Sequence, residues 1–431
     1  MISLSKKVLQ IHHFGNKCLI KTDEGLIPQN EYSSFIIKNI YNRPTTIENI
    51  THSFIKQFEV DASFEDIQSL IHNYIFKYSK KLFCQCTNYD NSLPSPPIIS
   101  GTPNRYVPYL LNVELTNTCN LNCTHCYKEA NCSEPSHIDL CKLEELLSFL
   151  NSKNLSITLT GGEPTIHKSF EEIVALCAKF GNVDLVTNGL MLKNISSTTL
   201  EKLNLIGISL YGIDDLSYEI NTGIKNGFSI LTEATEYLRS IGKSFILTIV
   251  LDREKIQHLG KYIDAAAKLG ASNFQIGLPF RSGKLTEKSN DNEQWILSSE
   301  EKRIAYRKIR EYKKNNNKIQ ILDWERDVYE KKHSYDDPNN PSNFYKTHCM
   351  KCGAGTTQWS VSEDFYFRPC NILSGELAGK ISFETFKDYV DGKHTINWRN
   401  YMNKYREVYS MKYGLELSDC CDRLTDFIDE D

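Results

Sequence analysis

From residue 108 onward, short apolar runs alternate with stretches whose apolar positions return every three or four residues. The runs Tyr109–Leu115, Ser156–Leu159, Val183–Val186, Ile206–Leu210, Phe245–Val250 and Asn273–Ile276 predict strands. Between them, Leu143–Lys153, Phe170–Phe180, Ile230–Ile241 and Lys255–Leu269 predict helices. Strand–helix alternation at this pace predicts an α/β fold with a parallel sheet, here of six units.

The first 86 residues follow a different pattern. Two apolar runs, Val8–His12 and Cys18–Ile20, predict a hairpin, and helical periodicity follows over Asn30–Ile40, Thr46–Phe58 and Phe64–Tyr78. Thr46 suits an N-cap, with Glu48 in the first turn. Lys81–Cys86 reads as a returning strand. Residues 87–106 hold Pro94, Pro96, Pro97, Gly101 and Pro103 and read as a linker.

The chain has 431 residues, enough for two or three domains. Its formal charge of −4 predicts no global attraction to nucleic acid or to an anionic membrane. An acidic final segment accounts for that excess and reads as a solvated end. No apolar run approaches a membrane span, and the N-terminus lacks an apolar signal core, so a cytoplasmic protein is expected. Fourteen cysteines in such a chain point to metal or catalysis rather than to disulfides.

Three of them are closely spaced. Cys119, Cys123 and Cys126 follow the first strand as Cys-x3-Cys-x2-Cys. A structural zinc site wants four ligands, usually as two close pairs. Three thiolates on one loop suit a four-iron cluster with one iron left open for a small molecule. The bland alternative is three unrelated core thiols. Further motifs stand at the predicted C-terminal ends of the next strands, where chemistry collects in parallel barrels. They are Gly161-Gly162-Glu163-Pro164, Thr187-Asn188-Gly189 and Ser209 to Gly212.

The cysteine run resembles the cluster loop of the radical S-adenosylmethionine (radical SAM) enzymes, and the six units resemble their partial (β/α)6 barrel. The resemblance implies that Cys119, Cys123 and Cys126 hold a 4Fe-4S cluster whose open iron chelates S-adenosylmethionine. One-electron cleavage then gives a 5′-deoxyadenosyl radical. Tyr127 is expected near the adenine. Gly161, Gly162, Glu163 and Pro164 resemble the family's GGE motif, with carbonyls and the Glu163 carboxylate expected to receive the amino group of S-adenosylmethionine. Asn188 is expected near the adenosine, with a turn-forming role as its alternative, and Ser209 near the ribose or carboxylate. Tyr211 stands where relatives usually carry Asp, and the Arg-Gly pair frequent after it is missing from Asn221-Thr222-Gly223.

Cysteines gather again as Cys349, Cys352, Cys370, Cys420 and Cys421. The alternating run from Cys352 to Cys370 predicts a hairpin and resembles the SPASM/twitch extensions that bind auxiliary iron–sulfur clusters. One auxiliary cluster, of 4Fe-4S type, is expected on these five residues, with a zinc site as the rival. Two strands followed by three helices at the N-terminus resemble the winged-helix RiPP recognition element. That domain captures the leader of a ribosomally made precursor peptide by strand addition. A DNA-binding winged helix is its rival, and the near charge balance disfavours it.

The expected organisation is therefore a leader-binding domain (1–86), a linker (87–106), a radical SAM barrel (107–320) and an auxiliary-cluster domain (321–431). That order resembles peptide maturases, particularly sactipeptide maturases of the sporulation-killing-factor type, which join a cysteine sulfur to an α-carbon. The implied partners are a precursor peptide and a reductant such as flavodoxin or ferredoxin, with neither nucleic acid nor membrane. Rival readings are a peptide epimerase, a carbon–carbon or carbon–oxygen crosslinking enzyme, an anaerobic sulfatase-type maturase, and a non-catalytic iron–sulfur or zinc scaffold.

Overall fold

The computed structural model describes residues 1–22, 25–41, 43–85, 97–279, 282–286, 290–315, 318–322, 353–372, 381–396 and 398–413. The chain divides into two compact units. One comprises Met1–Tyr109, Leu150–Leu155 and Lys387–Thr395, the other Leu110–Phe149, Ser156–Phe386 and Ile396–Asp431. Among the described residues, no helix is long and apolar enough to cross a membrane.

The first unit opens with strands β1 (Ile2–Leu4), β2 (Val8–Gly15), β3 (Lys17–Thr22) and β4 (Gly25–Gln29). Helices α1 (Glu31–Ile40), α2 (Ile47–Phe58) and α3 (Phe64–Lys77) follow. Each helix starts at a side-chain cap: Asn30 accepts from Ser33 N, Thr46 from Asn49 N and Ser63 from Asp66 N. The helices bury Ile37, Ile50 and Ile71 against Ile11 and Ile20 of the hairpin. Strand β5 (Phe83–Gln85) returns, as expected, to pair antiparallel with β1. A three-residue partner shows no periodicity, so β1 was not foreseen.

The expected linker contains a strand. β6 (Ile98–Pro103) runs parallel to β2 and completes a sheet of order β4-β3-β2-β6. Its turn-like composition has a steric reason. Gly101 has φ +69°, and a Cβ there would stand 2.1 Å from His13 O. β2 and β6 also share a buried polar chain. Gln10 Nε2 donates to Ser100 Oγ (2.7 Å), Ser100 lies 3.0 Å from His12 Nδ1, and His12 Nε2 lies 2.9 Å from Val107 O. The carbonyl can only accept, so His12 carries its proton on Nε2.

In the second unit the predicted alternation appears. Its elements are β7 (Leu110–Glu114), α4 (Leu140–Leu150), β8 (Leu155–Thr160), α5 (Phe170–Cys177), β9 (Gly181–Thr187), α6 (Ser197–Lys202) and β10 (Leu203–Ser209). Then come α7 (Asp215–Thr222), α8 (Gly227–Ser240), β11 (Ile246–Val250), α9 (Arg253–Gln257), α10 (Leu259–Leu269), β12 (Asn273–Gly277), α11 (Ser299–Asn315) and β13 (Gln320–Leu322). The described C-terminal elements are β14 (Gln358–Val361), β15 (Phe367–Arg368), α12 (Phe383–Val390) and α13 (Trp398–Tyr413).

Among the described residues, nine strands form one sheet of order β13-β12-β11-β10-β9-β8-β7-β14-β15. The six expected strands are its parallel centre, and β13 and β14 extend it in parallel at either side. The alternation after Gly355 does give a hairpin, with Val361 opposite Phe367. Periodicity predicts such a pair but not its partner, and here Trp359 lies beside Leu111 of β7. The sheet's core is dry: Leu111, Val113, Ile157, Leu159, Ile206, Ile208, Leu247, Phe274 and Trp359 have no measurable exposure.

Candidate functional site

The loop after β7 carries Cys119, Cys123 and Cys126, and side-chain amides shape it. Asn131 accepts from Cys119 N (2.8 Å) and donates to Cys119 O (2.9 Å). Asn117 donates to Ser133 Oγ and Glu134 O, both at 2.8 Å, and accepts from Ser136 N at the same distance. These bonds close the loop from residue 117 to 136, which lacks a regular ladder of its own. Asn117 stands two positions before Cys119, but its role depends on residues up to 19 positions away.

The three thiols lie within electrostatic reach of one another. Burial pushes the Cys123 thiol up to about 12, and Cys126 and Cys119 add to it. Burial pushes Cys119 up to about 11, with the N–H of Leu121 and the charges of Glu163 and Cys126 as smaller influences. Thiols so placed resist ionisation unless a cation compensates them, which an iron cluster does. Among the described residues, no three His, Cys, Asp or Glu side chains close on a single ion. Three thiolates that each bind a different iron of one cluster need not. Three thiols on one loop match the donor set of a cluster held through three of its irons.

The loop after β8 presses on the cysteine loop. Gly162 N donates to Thr116 O (2.7 Å) and Glu163 N to Thr118 O (2.9 Å). A Cβ at Gly161 would stand 2.6 Å from Thr116 O, and one at Gly162 2.1 Å from Thr118 O. The glycines are thus required by loop-to-loop contact, a reason distinct from the ligand approach inferred from sequence. Pro164 starts a short 3-10 turn, capped when Glu163 accepts from Thr165 N.

Glu163 is 1% exposed. Its Oε1 accepts from Thr165 N (3.1 Å), Thr165 Oγ1 (2.5 Å) and Thr187 Oγ1 (2.6 Å), and its Oε2 from Asn188 N (2.8 Å). Burial holds the carboxyl above its usual range, and these donors pull the other way. Asn188, after β9, turns its amide to the cysteine loop. Nδ2 donates to Asn120 Oδ1 (2.6 Å) and points at Cys119 Sγ (4.0 Å), while Oδ1 accepts from Leu190 N (3.0 Å). Ser209 ends β10 and engages the Tyr211 hydroxyl, which burial keeps protonated and which also reaches Cys123.

Tyr127 reaches the hairpin. Its hydroxyl accepts from Asn371 Nδ2 (3.3 Å) and engages Thr160, and burial pushes it up to about 12, with Glu114 adding to the effect. Asn371 follows Cys370, whose Sγ accepts from Ile372 N (3.4 Å). Below lies a buried charge group absent from the sequence reading. Lys128 pairs with Glu114 (2.5 Å) and Glu363 (2.6 Å), and Arg368 also pairs with Glu114. These residues come from two stretches, 114–128 and 363–368, at least 235 positions apart, so spacing gives no signal for their meeting. Cys349, Cys352, Cys420 and Cys421 lie outside the described residues, so Cys370 alone represents the second cysteine group.

A further segment clasps the loop from β12. Lys284 N donates to Cys126 O (3.0 Å), Lys284 Nζ to Asn122 Oδ1 (2.7 Å) and Ser282 Oγ to Ile372 O (2.7 Å). Gly283, at φ +59°, leaves no room for a Cβ, which would stand 2.3 Å from Cys126 O.

Residues 113–266 match the family model of the radical SAM superfamily. The chain is 26% identical over 286 residues to the sporulation killing factor maturation protein SkfB of Bacillus subtilis (strain 168). That match covers 65% of this chain and 64% of the relative, so it spans less than two thirds of the relative's length. A probable GTP 3′,8-cyclase of Saccharolobus islandicus is 31% identical over 209 residues, covering 46% of this chain and 67% of that protein. Among solved structures, Streptococcus suis SuiB bound to its precursor peptide SuiA aligns with TM-score 0.56 and 16% identity. The alignment covers 92% of this chain and 89% of SuiB, and it shows a shared fold that extends beyond the barrel.

Proposed function

The chain belongs to the radical SAM superfamily, and we propose that it modifies a ribosomally made precursor peptide. The observation that carries the reading is the convergence of three strand-end loops. Cys119, Cys123 and Cys126 stand on the first, Glu163 braces the second to the third, and Asn188 of the third returns to Cys119. Cys119, Cys123 and Cys126 would hold the 4Fe-4S cluster. When bound, cluster and S-adenosylmethionine supply a one-electron cleavage that gives a carbon radical able to take hydrogen from a peptide. The chain's own residues exclude water and orient the reacting groups. On this reading Gly161, Gly162, Glu163, Pro164, Asn188, Ser209 and Tyr127 would form the S-adenosylmethionine site, by direct contact or by bracing the loops that make it.

Two likenesses support a peptide substrate. The relative from Bacillus subtilis is named for maturing the sporulation killing factor, and SuiB was solved with a precursor peptide. The region of this chain ahead of the barrel is aligned as well, in keeping with a leader-binding role for the first unit. Cys370, with Cys349, Cys352, Cys420 and Cys421, would serve one auxiliary cluster. Within this reading the product is a thioether between a cysteine sulfur and an α-carbon, and a flavodoxin or ferredoxin supplies the electron.

The test is anaerobic reconstitution with iron and sulfide, followed by reduction with S-adenosylmethionine present. The wild type is expected to release 5′-deoxyadenosine, and Cys123→Ala to release none. Undiminished release by the variant sinks the cluster assignment. A thioether product is about 2 Da lighter per bridge. Unchanged mass with a D-residue selects epimerisation instead.

A further inference from the structure

Lys255 lies in the first turn of α9, just past the end of β11, with 3% of its side chain exposed. An ammonium group has three donors, and three partners meet it among the described residues. They are the Asp252 carboxylate, Asn221 Oδ1 at 3.3 Å, and the face of Trp295, with the ring centroid 4.3 Å from Nζ. Asp252 is equally buried and also caps α9, accepting from Lys255 N at 2.7 Å. The cap needs only the aspartate. The lysine must therefore be explained separately, because taking both charges out of water is unfavourable.

The contacts beyond Trp295 supply the explanation. Its ring, 1% exposed, stacks on His125 with centroids 3.9 Å apart. His125 stands between Cys123 and Cys126. Among the described residues, neither His125 Nδ1 nor Trp295 Nε1, both buried, has a hydrogen-bond partner. The placement of the two rings thus relies on stacking and on the cation. Lys255 makes the ring contact and lies within electrostatic reach of Cys123, and the Asp252 carboxylate is bonded directly to its ammonium group.

We propose that Lys255 and Asp252 are positioning residues whose opposed charges set the reduction potential of the cluster on Cys119, Cys123 and Cys126, with Trp295 and His125 fixing their place behind the loop. The inference rests on the cluster assignment above. Reduction adds an electron to the cluster. A fixed cation nearby favours the reduced state and a fixed anion disfavours it, more strongly in a water-poor interior.

The experiment is a redox titration of the reconstituted full-length chain, followed on the EPR signal that changes when S-adenosylmethionine is added. At the wild-type midpoint, Lys255→Met is expected to lower the reduced-to-oxidised ratio about tenfold, or about 59 mV for one electron. Asp252→Asn, which keeps the helix cap, is expected to move the midpoint the opposite way. Lys255→Arg keeps it near wild type. Opposite signs separate a charge effect from loosened packing. Equal midpoints, or shifts of the same sign for Lys255→Met and Asp252→Asn, overturn the proposal. Should Lys255→Met fail to fold, Asp252→Asn decides alone: a positive shift supports the proposal and no shift overturns it. A wild-type chain that takes up no iron overturns the cluster assignment and this inference with it.

Discussion

Glu163 Oε2 accepts the backbone N–H of Asn188 at 2.8 Å, joining two strand-end loops 25 residues apart. Oε1 takes three further donors, so both oxygens act as acceptors. An amide cannot serve in that way. In Glu163→Gln one terminus becomes an NH2 group facing a donor, whichever way it turns. An unsatisfied buried group of this kind costs about 1–3 kcal/mol. The variant is expected to lose that much stability in urea and to bind S-adenosylmethionine more weakly after reconstitution. Wild-type values for both would remove the bracing role.

The first unit should respond to acid through His12. Burial lowers its pKa from 6.5 to about 4, with the Val107 carbonyl opposing the shift. Between those values the unfolded chain binds a proton that the folded one refuses. Stability is therefore full above about pH 6.5 and falls as pH drops toward 4, by about 3 kcal/mol in all. Unfolding free energies of wild type and His12→Gln across that window supply the check. Their difference should shrink on acidification, and parallel curves count against a buried neutral histidine.

Lys128, Glu114, Arg368 and Glu363 form a buried charge group in which Glu114 is fully enclosed and faces two cations. Removing one member leaves the others uncompensated, which costs about 3–5 kcal/mol. Glu114→Gln is expected to be destabilised on that scale. Because Lys128 follows Tyr127 and Arg368 precedes Cys370 by two positions, the same variant should also take up less iron. Glu363→Gln, at the more exposed end, is expected to cost less. Equal losses for the two variants contradict the ranking by burial.

These relationships divide by how local their signal is. The six central strands and the cysteine loop are legible because each lies within one short stretch, where periodicity and spacing report directly. Thr46 was legible as a cap for the same reason. The β14 pairing with β7, the Tyr127 to Asn371 bond and the Lys255 contact with Trp295 join residues 40 to about 250 positions apart, and no local pattern encodes a partner at that distance. β6 was hidden by its own chemistry. Gly101 and Pro103 signal a turn, yet Gly101 serves a strand that runs against His13 O. The motif glycines read from sequence as places where a ligand comes close to the backbone, whereas the atoms that crowd them here belong to the first loop's backbone.

Gly162 separates steric need from conformational need. Its Cβ position lies 2.1 Å from Thr118 O and 2.6 Å from Thr118 C, both backbone atoms with little freedom to move. Its φ is not positive, so an alanine there has no intrinsic strain. Gly223 is the converse, with φ +77° at the end of α7 and nothing within 4 Å of a Cβ. Gly223→Ala should cost roughly 1–2 kcal/mol from the left-handed backbone alone and leave iron uptake intact. Gly162→Ala must push the second loop off the first, an overpacking change of at least about 1–3 kcal/mol. It would break the Gly162 N to Thr116 O and Glu163 N to Thr118 O bonds. We expect it to lose both stability and S-adenosylmethionine binding. Comparable binding by the two alanine variants would show that the loops need not touch for the site to work.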